Sequence, residues 1–163
     1  MDLNGAVALV TGGNGGLGQR ICHHLAREGA HVAVMCAQSR DQAEGVARDL
    51  ASRYQINAAA FGCDITDGAA VEKVVDEVTK RFGRLDILVN DAAYNKSIPF
   101  KDLDGLTTEE WSKIIDVNLT GPMHAIKAVA AAPPQKYSPS DPGSRVFTTS
   151  MLTPQPSEKP TPA

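Results

Sequence analysis

The sequence predicts an α/β fold, a doubly wound parallel sheet. Three observations carry that expectation. Short apolar runs alternate with segments of helical periodicity, as right-handed βαβ units do. The runs are continuously apolar, which suits strands covered on both faces. A glycine-rich turn, Thr11-Gly-Gly-Asn-Gly-Gly-Leu-Gly18, joins the first run to the first helix.

Each element follows from its residues. Residues 6–11, with Val7-Ala8-Leu9-Val10, form the first strand. Leu17, Ile21 and Leu25 recur at helical spacing, so the first helix should pack by that stripe and end at Gly29. Residues 32–35 form the second strand. Ser39-x-x-Gln42 has the form of a capping box, opening a helix with Ala43, Val46, Ala47 and Leu50 inward. Residues 57–62 make a weaker third strand. Val71, Val74, Val75, Val78 and Phe82 form the clearest helical stripe, closed by Gly83, and residues 86–90 are the fourth strand. Residues 91–106 form a long loop, which in a compact domain marks a functional edge. Thr107-x-x-Glu110 then starts a helix with the stripe Trp111, Ile114, Ile115, Leu119, Met123 and Ile126. Residues 131–144 are a Pro/Ser-rich irregular insert, and 145–150 form a fifth strand. The domain is expected to span 1–150. Residues 151–163, with four prolines and no apolar period, form an expected disordered tail.

The composition narrows the function. A chain of 163 residues that is 42% hydrophobic and 21% charged is enough for one globular domain with a real core. A net charge of -3 gives no electrostatic footprint for nucleic acid. Cys22, Cys36 and Cys63 are odd in number and lack metal-ligand spacing, so they read as reduced thiols in a cytoplasmic protein. His23, His24, His31 and His124 have no Cys, Asp or Glu at ligand spacing, and no metal site is expected. The first residues have no signal-peptide pattern, and no apolar run is long enough to span a membrane.

The glycine turn carries the chemistry. Glycine adopts the positive φ of a tight turn and lets backbone approach a pyrophosphate closely. The helix that follows offers free N–H groups and a partial positive charge to an anion. Gly13-x-Gly15-x-x-Gly18 fits a dinucleotide fingerprint. Thr11-Gly12-x-x-x-Gly16-x-Gly18 resembles the variant of the short-chain dehydrogenase/reductase family.

Further segments resemble that family in the same order, most strongly over residues 5–130. Asp64 follows the third strand, where the family places an aspartate near the adenine; the same residue suits a cap for the turn before the next helix. Asn90-Asp-Ala-Ala93 stands where the family has Asn-Asn-Ala-Gly, departing from it at Asp91 and Ala93. Asn90 also suits the turn that closes a strand. Asp116-Val-Asn-Leu-Thr-Gly121 matches the segment with the family's catalytic asparagine, here Asn118. Pro122 has no N–H to bond the Asn118 carbonyl, which is left to hold a water. Ser150 falls on the family's catalytic serine, in a Thr148-Thr-Ser150 run that is also ordinary edge-strand chemistry. The resemblance implies a Rossmann-like fold with strand order 3-2-1-4-5 and hydride transfer between a nicotinamide and a carbonyl or alcohol substrate. It places Thr11, Gly12, Asn14, Gly15, Gly16, Leu17, Gly18, Ser39, Arg40, Asp64, Ile65, Asn90 and Ala92 at the cofactor.

The second strand ends in Cys36-Ala-Gln-Ser-Arg40, with no carboxylate to repel a 2′-phosphate. Ser39 and Arg40 can donate to one, so NADP(H) is expected over NAD(H). The family's Tyr-x-x-x-Lys pair is missing: Tyr54, Tyr94 and Tyr137 are followed four residues later by Ala58, Ile98 and Asp141. The expected chain is therefore truncated relative to the family and catalytically incomplete. Its alternatives are a non-catalytic NADP(H)-binding or oligomerisation module and a non-functional product. The absence of strands beyond the fifth predicts self-association into a homo-oligomer.

Overall fold

The computed structural model describes residues 3–99, 101–132 and 146–149. The expected insert from 133 onward, Tyr137, Ser150 and the tail 151–163 lie outside the described residues. Five parallel strands run β1 (Val7–Thr11), β2 (His31–Cys36), β3 (Ala58–Gly62), β4 (Ile87–Asn90) and β5 (Val146–Thr149), in the order β3-β2-β1-β4-β5. The predicted topology is the observed one, with strand bounds shifted by a residue or so.

Helices cover both faces. Ala8 and Val10 of β1 enter one apolar cluster with α1 (Gly16–Arg27) and α2 (Arg40–Tyr54). Val7 and Leu9 point the other way, into a cluster with α3 (Gly68–Phe82) and α5 (Gly121–Ala131). This alternation on a strand buried throughout explains why β1 is apolar at every step.

Asp86 is not a ladder residue of β4. Its carboxylate accepts from the Val7 N–H at 2.8 Å and from the Arg84 guanidinium at 2.7 Å on each oxygen. A fork of this kind is a strong, directional pair, and it pins the entry of β1 beside that of β4.

Three packing expectations need correction. On α1 the buried face is Gly18, Cys22 and Ala26, with Ile21 and Leu25 partly buried beside it. Leu17 is exposed. Small residues on the contact face let this helix lie close to the sheet, and the larger ones flank it. Ser39 does not cap α2. It sits in the left-handed region at φ 57 with no side-chain cap bond, and Gln42 N–H donates to its carbonyl at 3.0 Å instead. The third concerns the helix after the long loop. It is two helices, α4 (Thr108–Ile115) and α5, joined by a wide π turn over Asp116–Thr120. The wide turn breaks the 3.6-residue phase. The inward face of α5 is Gly121, Pro122, Ala125, Ala128 and Val129. Trp111, Leu119, Met123 and Ile126 are exposed, and Ile114 and Ile115 are half-buried.

Thr107 caps α4 as read, its Oγ1 accepting from Glu110 N–H at 3.3 Å, while the cap of α3 is Asp67, a residue the sequence reading does not single out, whose Oδ1 accepts from Ala70 N–H at 3.0 Å. Residues 91–106 contain one short 3-10 turn, Leu103–Gly105.

Candidate functional site

The carboxyl ends of β1, β2, β3 and β4 open into one cleft of about 620 Å³. The ends of parallel strands are where open α/β sheets place ligands.

The glycine turn forms the floor, and its glycines divide into two kinds. Gly12 has φ +67, and a Cβ there would sit 2.9 Å from Ala92 Cα. A Cβ on Gly18 would lie 2.3 Å from the Gly12 carbonyl oxygen and 2.8 Å from Gly13 Cα. These two glycines are demanded by the protein's own packing. Gly16 differs: a Cβ there meets nothing within 4 Å, and the residue lines the cleft. Gly16 opens α1, whose first turn holds no acidic residue and whose N-cap, Gly15, makes no side-chain bond. The first N–H groups of a helix have no intrahelical partner, and here they meet no carboxylate of their own turn.

Neighbouring segments hold the turn in place. The Thr11 hydroxyl, fully buried, accepts from the N–H groups of Asp91 and Ala92, each at 3.1 Å, and donates to the Val89 carbonyl at 3.4 Å. Asn14 Nδ2 donates to the Gln38 carbonyl at 3.3 Å and to Gln42 Oε1 at 3.4 Å, and its own carbonyl accepts from Gln19 Nε2 at 2.7 Å. The glycine turn is thus tied to the exits of β2 and β4.

Of the predicted residues, Thr11, Gly12, Asn14, Gly15, Gly16 and Leu17 line the cleft from below, and Ser39, Asp64, Ile65 and Ala92 line its walls. Asp64 also fulfils the capping reading, since its Oδ1 accepts from Thr66 N–H at 2.9 Å and Thr66 Oγ1 at 2.8 Å.

Four predicted residues are not on the cleft lining. Gly18 is packed beneath it. Arg40 turns along α2, where its Nε donates to Glu44 Oε1 at 3.1 Å. Asn90 is 2% exposed at the end of β4, and both polar atoms of its amide lack a hydrogen-bond partner. Asn118 acts as a clamp: its Oδ1 accepts from Tyr94 N–H at 2.8 Å and its Nδ2 donates to the Tyr94 carbonyl at 2.9 Å. Ser150 lies outside the described residues.

Sequence reasoning missed the far wall, built from Tyr94, Lys113 and Val117. The Lys113 ammonium stands 4.0 Å from the Tyr94 ring centroid, and Tyr94 Oη donates to Glu110 Oε2 at 3.0 Å. Lys96 pairs with the same carboxylate at 3.1 Å. The Lys96 and Tyr94 hydrogen bonds hold the Glu110 carboxyl below the usual carboxylate range. Val117 lies four residues after Lys113, so the two share a helical face, a spacing visible in the sequence once the cleft is known. Asp91, where the chain departs from the family's asparagine, also lines the cleft. Among the described residues no group of three His, Cys, Asp or Glu could hold a metal, and no helix is long and apolar enough to cross a membrane.

The family model described as short chain dehydrogenase matches residues 6–161. The chain belongs to the short-chain dehydrogenase family. It is 37% identical over 127 residues to granaticin polyketide synthase putative ketoacyl reductase 2 of Streptomyces violaceoruber, covering 78% of this chain and 48% of that protein. A solved short chain dehydrogenase from Burkholderia cenocepacia in complex with NADP is 35% identical, with a TM-score of 0.72 over 80% of this chain and 51% of that one. An NAD+-bound xylitol dehydrogenase is 31% identical at the same TM-score, over 80% of this chain and 48% of that one. This short-chain dehydrogenase chain therefore spans about half the length of the relatives it matches. Members of both cofactor types resemble it, so the likeness alone does not choose between NAD and NADP.

Proposed function

We propose that this chain binds NADP(H) in the cleft and is the nucleotide-binding part of an oxidoreductase acting on a small carbonyl or alcohol substrate. The carrying observation is Gly16, a glycine with open space on the cleft side and no internal reason to be glycine. The uncapped, acid-free first turn of α1 supports the same reading, because it fits a pyrophosphate. Gly16 and Leu17, at the first turn of α1, would hold the phosphates by their N–H groups, the Gly15 N–H being spent on the Gly12 carbonyl at 2.8 Å, and Asp64, Ile65 and Val117 would wall the adenine side. When bound, the nicotinamide supplies or accepts the hydride. The Asn118 clamp fixes the backbone at Tyr94 beside it.

NADP(H) is favoured for a chemical reason. No carboxylate occurs between Cys36 and Arg40. Ser39 lines the cleft in a left-handed conformation that costs of order 1 kcal/mol or more, a strain typical of functional positions. The Arg40–Glu44 pair is exposed, and such pairs contribute only about 0.2–1 kcal/mol, so a 2′-phosphate can displace Glu44.

The 163 residues contain no Tyr-x-x-x-Lys. Reduction of a carbonyl leaves an alkoxide that needs a proton, and a missing positioned acid costs about 10²–10⁴ in rate. The chain by itself therefore binds cofactor with little turnover. We also assign the exposed face of Trp111, Leu119, Met123 and Ile126 to self-association into a homo-oligomer. The test is a fluorescence titration with NADPH and NADH, followed by NADPH oxidation with several carbonyl substrates. Saturable, tighter NADPH binding with negligible turnover is expected. Absence of NADPH binding by the folded chain refutes the reading.

A further inference from the structure

A second groove lies on the other side of α2, along the outer edge of the sheet. β3 ends the strand order and, among the described residues, pairs only with β2. Val32 N–H donates to the Asn57 carbonyl at 3.0 Å, and Cys63 N–H donates to the Cys36 carbonyl at 2.8 Å. Alternate residues of a parallel strand bond to one side, so the odd-numbered residues face β2. The N–H and C=O groups of Ala58, Ala60 and Gly62 therefore point to the open edge. Their side chains are too small to cover it. A Cβ added at Gly62 would meet only Arg40 Nη1, at 3.6 Å.

The groove, about 340 Å³, runs along Ala60, Phe61 and Gly62. Its rims carry Arg40 from α2 and Lys73, Glu77 and Arg81 from α3. The last three recur every four residues and so share one face of the helix. Lys73 and Arg81 are exposed. Three cations thus stand over this strand edge against two carboxylates, Glu77 between Lys73 and Arg81 and Glu44 in an exposed pair with Arg40, which leaves an excess of positive charge.

We propose that this groove takes an extended acidic peptide segment of a partner protein, added to β3 as a further strand. Backbone bonds to Ala60 and Gly62 would supply the ladder, and the three cations would select acidic side chains. A second copy of this chain does not fit, because edge-to-edge pairing would bring two sets of these cations together. Residues 151–163 do not fit either: they hold one acid, Glu158, next to Lys159, and four prolines that cannot donate to a ladder. The inference shares Arg40 with the nucleotide reading but rests on Lys73, Arg81 and the β3 edge, which do not line the main cleft.

The experiment titrates the full chain into an acetylated, fluorescein-labelled peptide of alternating glutamate and valine, read by anisotropy without nucleotide. Saturable binding is expected, weakening roughly tenfold from low to physiological salt as screening sets in. Methylating alternate backbone nitrogens of the peptide should abolish it. A Lys73→Glu/Arg81→Glu protein, with both changes at exposed positions and an unchanged thermal melt, should bind at least about tenfold more weakly. Hydrogen exchange should slow at the Ala60 and Gly62 amides. The proposal fails if no saturable binding occurs, if the methylated peptide binds equally well, or if the double variant keeps full affinity.

Discussion

Gly16 and Gly18, two residues apart in the glycine turn, should respond oppositely to the same methyl group. At Gly18 the added Cβ would stand 2.3 Å from the Gly12 carbonyl oxygen, 2.8 Å from Gly13 Cα and 2.9 Å from Asp91 Oδ2. Two of these neighbours are backbone, so the turn itself must open. Overpacking of this kind costs about 1–3 kcal/mol, and 1 kcal/mol lowers the melting temperature of a domain this size by about 2–4 °C. Gly18→Ala should therefore melt about 2–12 °C lower. At Gly16 the same atom meets nothing within 4 Å, and φ is not in the positive range. The substitution removes unfolded-state freedom and should stabilise by about 0.4–1 kcal/mol. Yet it places a methyl in the cleft at the end of α1, and NADPH affinity should fall about tenfold, or 1.4 kcal/mol. The assay pairs scanning calorimetry with NADPH fluorescence titration on both variants. An undisturbed NADPH dissociation constant in Gly16→Ala, or an undisturbed melt in Gly18→Ala, would refute the division.

Four other outcomes are expected. Arg40→Ala should narrow the preference for NADPH, because a charge-assisted phosphate contact contributes about 1.5–3 kcal/mol; equal NADPH and NADH constants in the parent protein would contradict this. Asn118→Ala deprives both the N–H and the C=O of Tyr94 of a partner and should cost about 1–3 kcal/mol in urea unfolding. Burial, reinforced by the Asp91 carboxylate, pushes the Cys22 thiol up to about 12, above its unfolded value of 9.0. A raised folded pKa means that its stabilisation is complete below pH 9 and is lost as the unfolded thiol ionises, so unfolding at pH 10 should be about 1.4 kcal/mol easier on this account. Cys22→Ala should flatten that slope. Finally, light scattering should report association that Trp111→Glu with Leu119→Glu reduces, since these side chains are 54% and 56% exposed.

The sheet was legible because its signals are local. Continuous apolar runs, glycines and helical stripes are written within a few residues of one another, and the strand order is the one the family resemblance implies. The packing errors arose where the partner surface matters. On α1 the largest apolar residues looked like the contact face, but close approach of helix and sheet selects Gly18, Cys22 and Ala26 instead. In α4 and α5 one stripe was drawn across Asp116–Thr120, and the extra width of the π turn shifts the phase that a single period assumes. The cleft floor was readable from the glycine turn. Its far wall was not, because Tyr94, Lys113 and Val117 come from a loop and a helix whose meeting depends on the Asn118 clamp. Arg40 stands at the start of α2, but its side chain lies along the helix toward Glu44 one turn later, a pairing that local spacing alone does not choose over the cleft.

The central position of β1 has a consequence for how the polypeptide acquires its shape. Ala8 meets Val32 on one side and Ile87 on the other, so β1, which precedes both partners in the chain, is not enclosed until β4 has been made. The β1–β2–β3 half needs only short loops to close and can assemble early. The other border of β1 stays open until Asp86 arrives, 79 residues after the Val7 N–H that it receives. During that interval Val7, Ala8, Leu9 and Val10 form an uncovered apolar edge on a nascent chain. Closure across so long a loop is slow compared with local pairing. Nascent chains halted between β3 and β4 should therefore be the species that chaperones retain, and release should coincide with emergence of the Arg84–Asp86 pair.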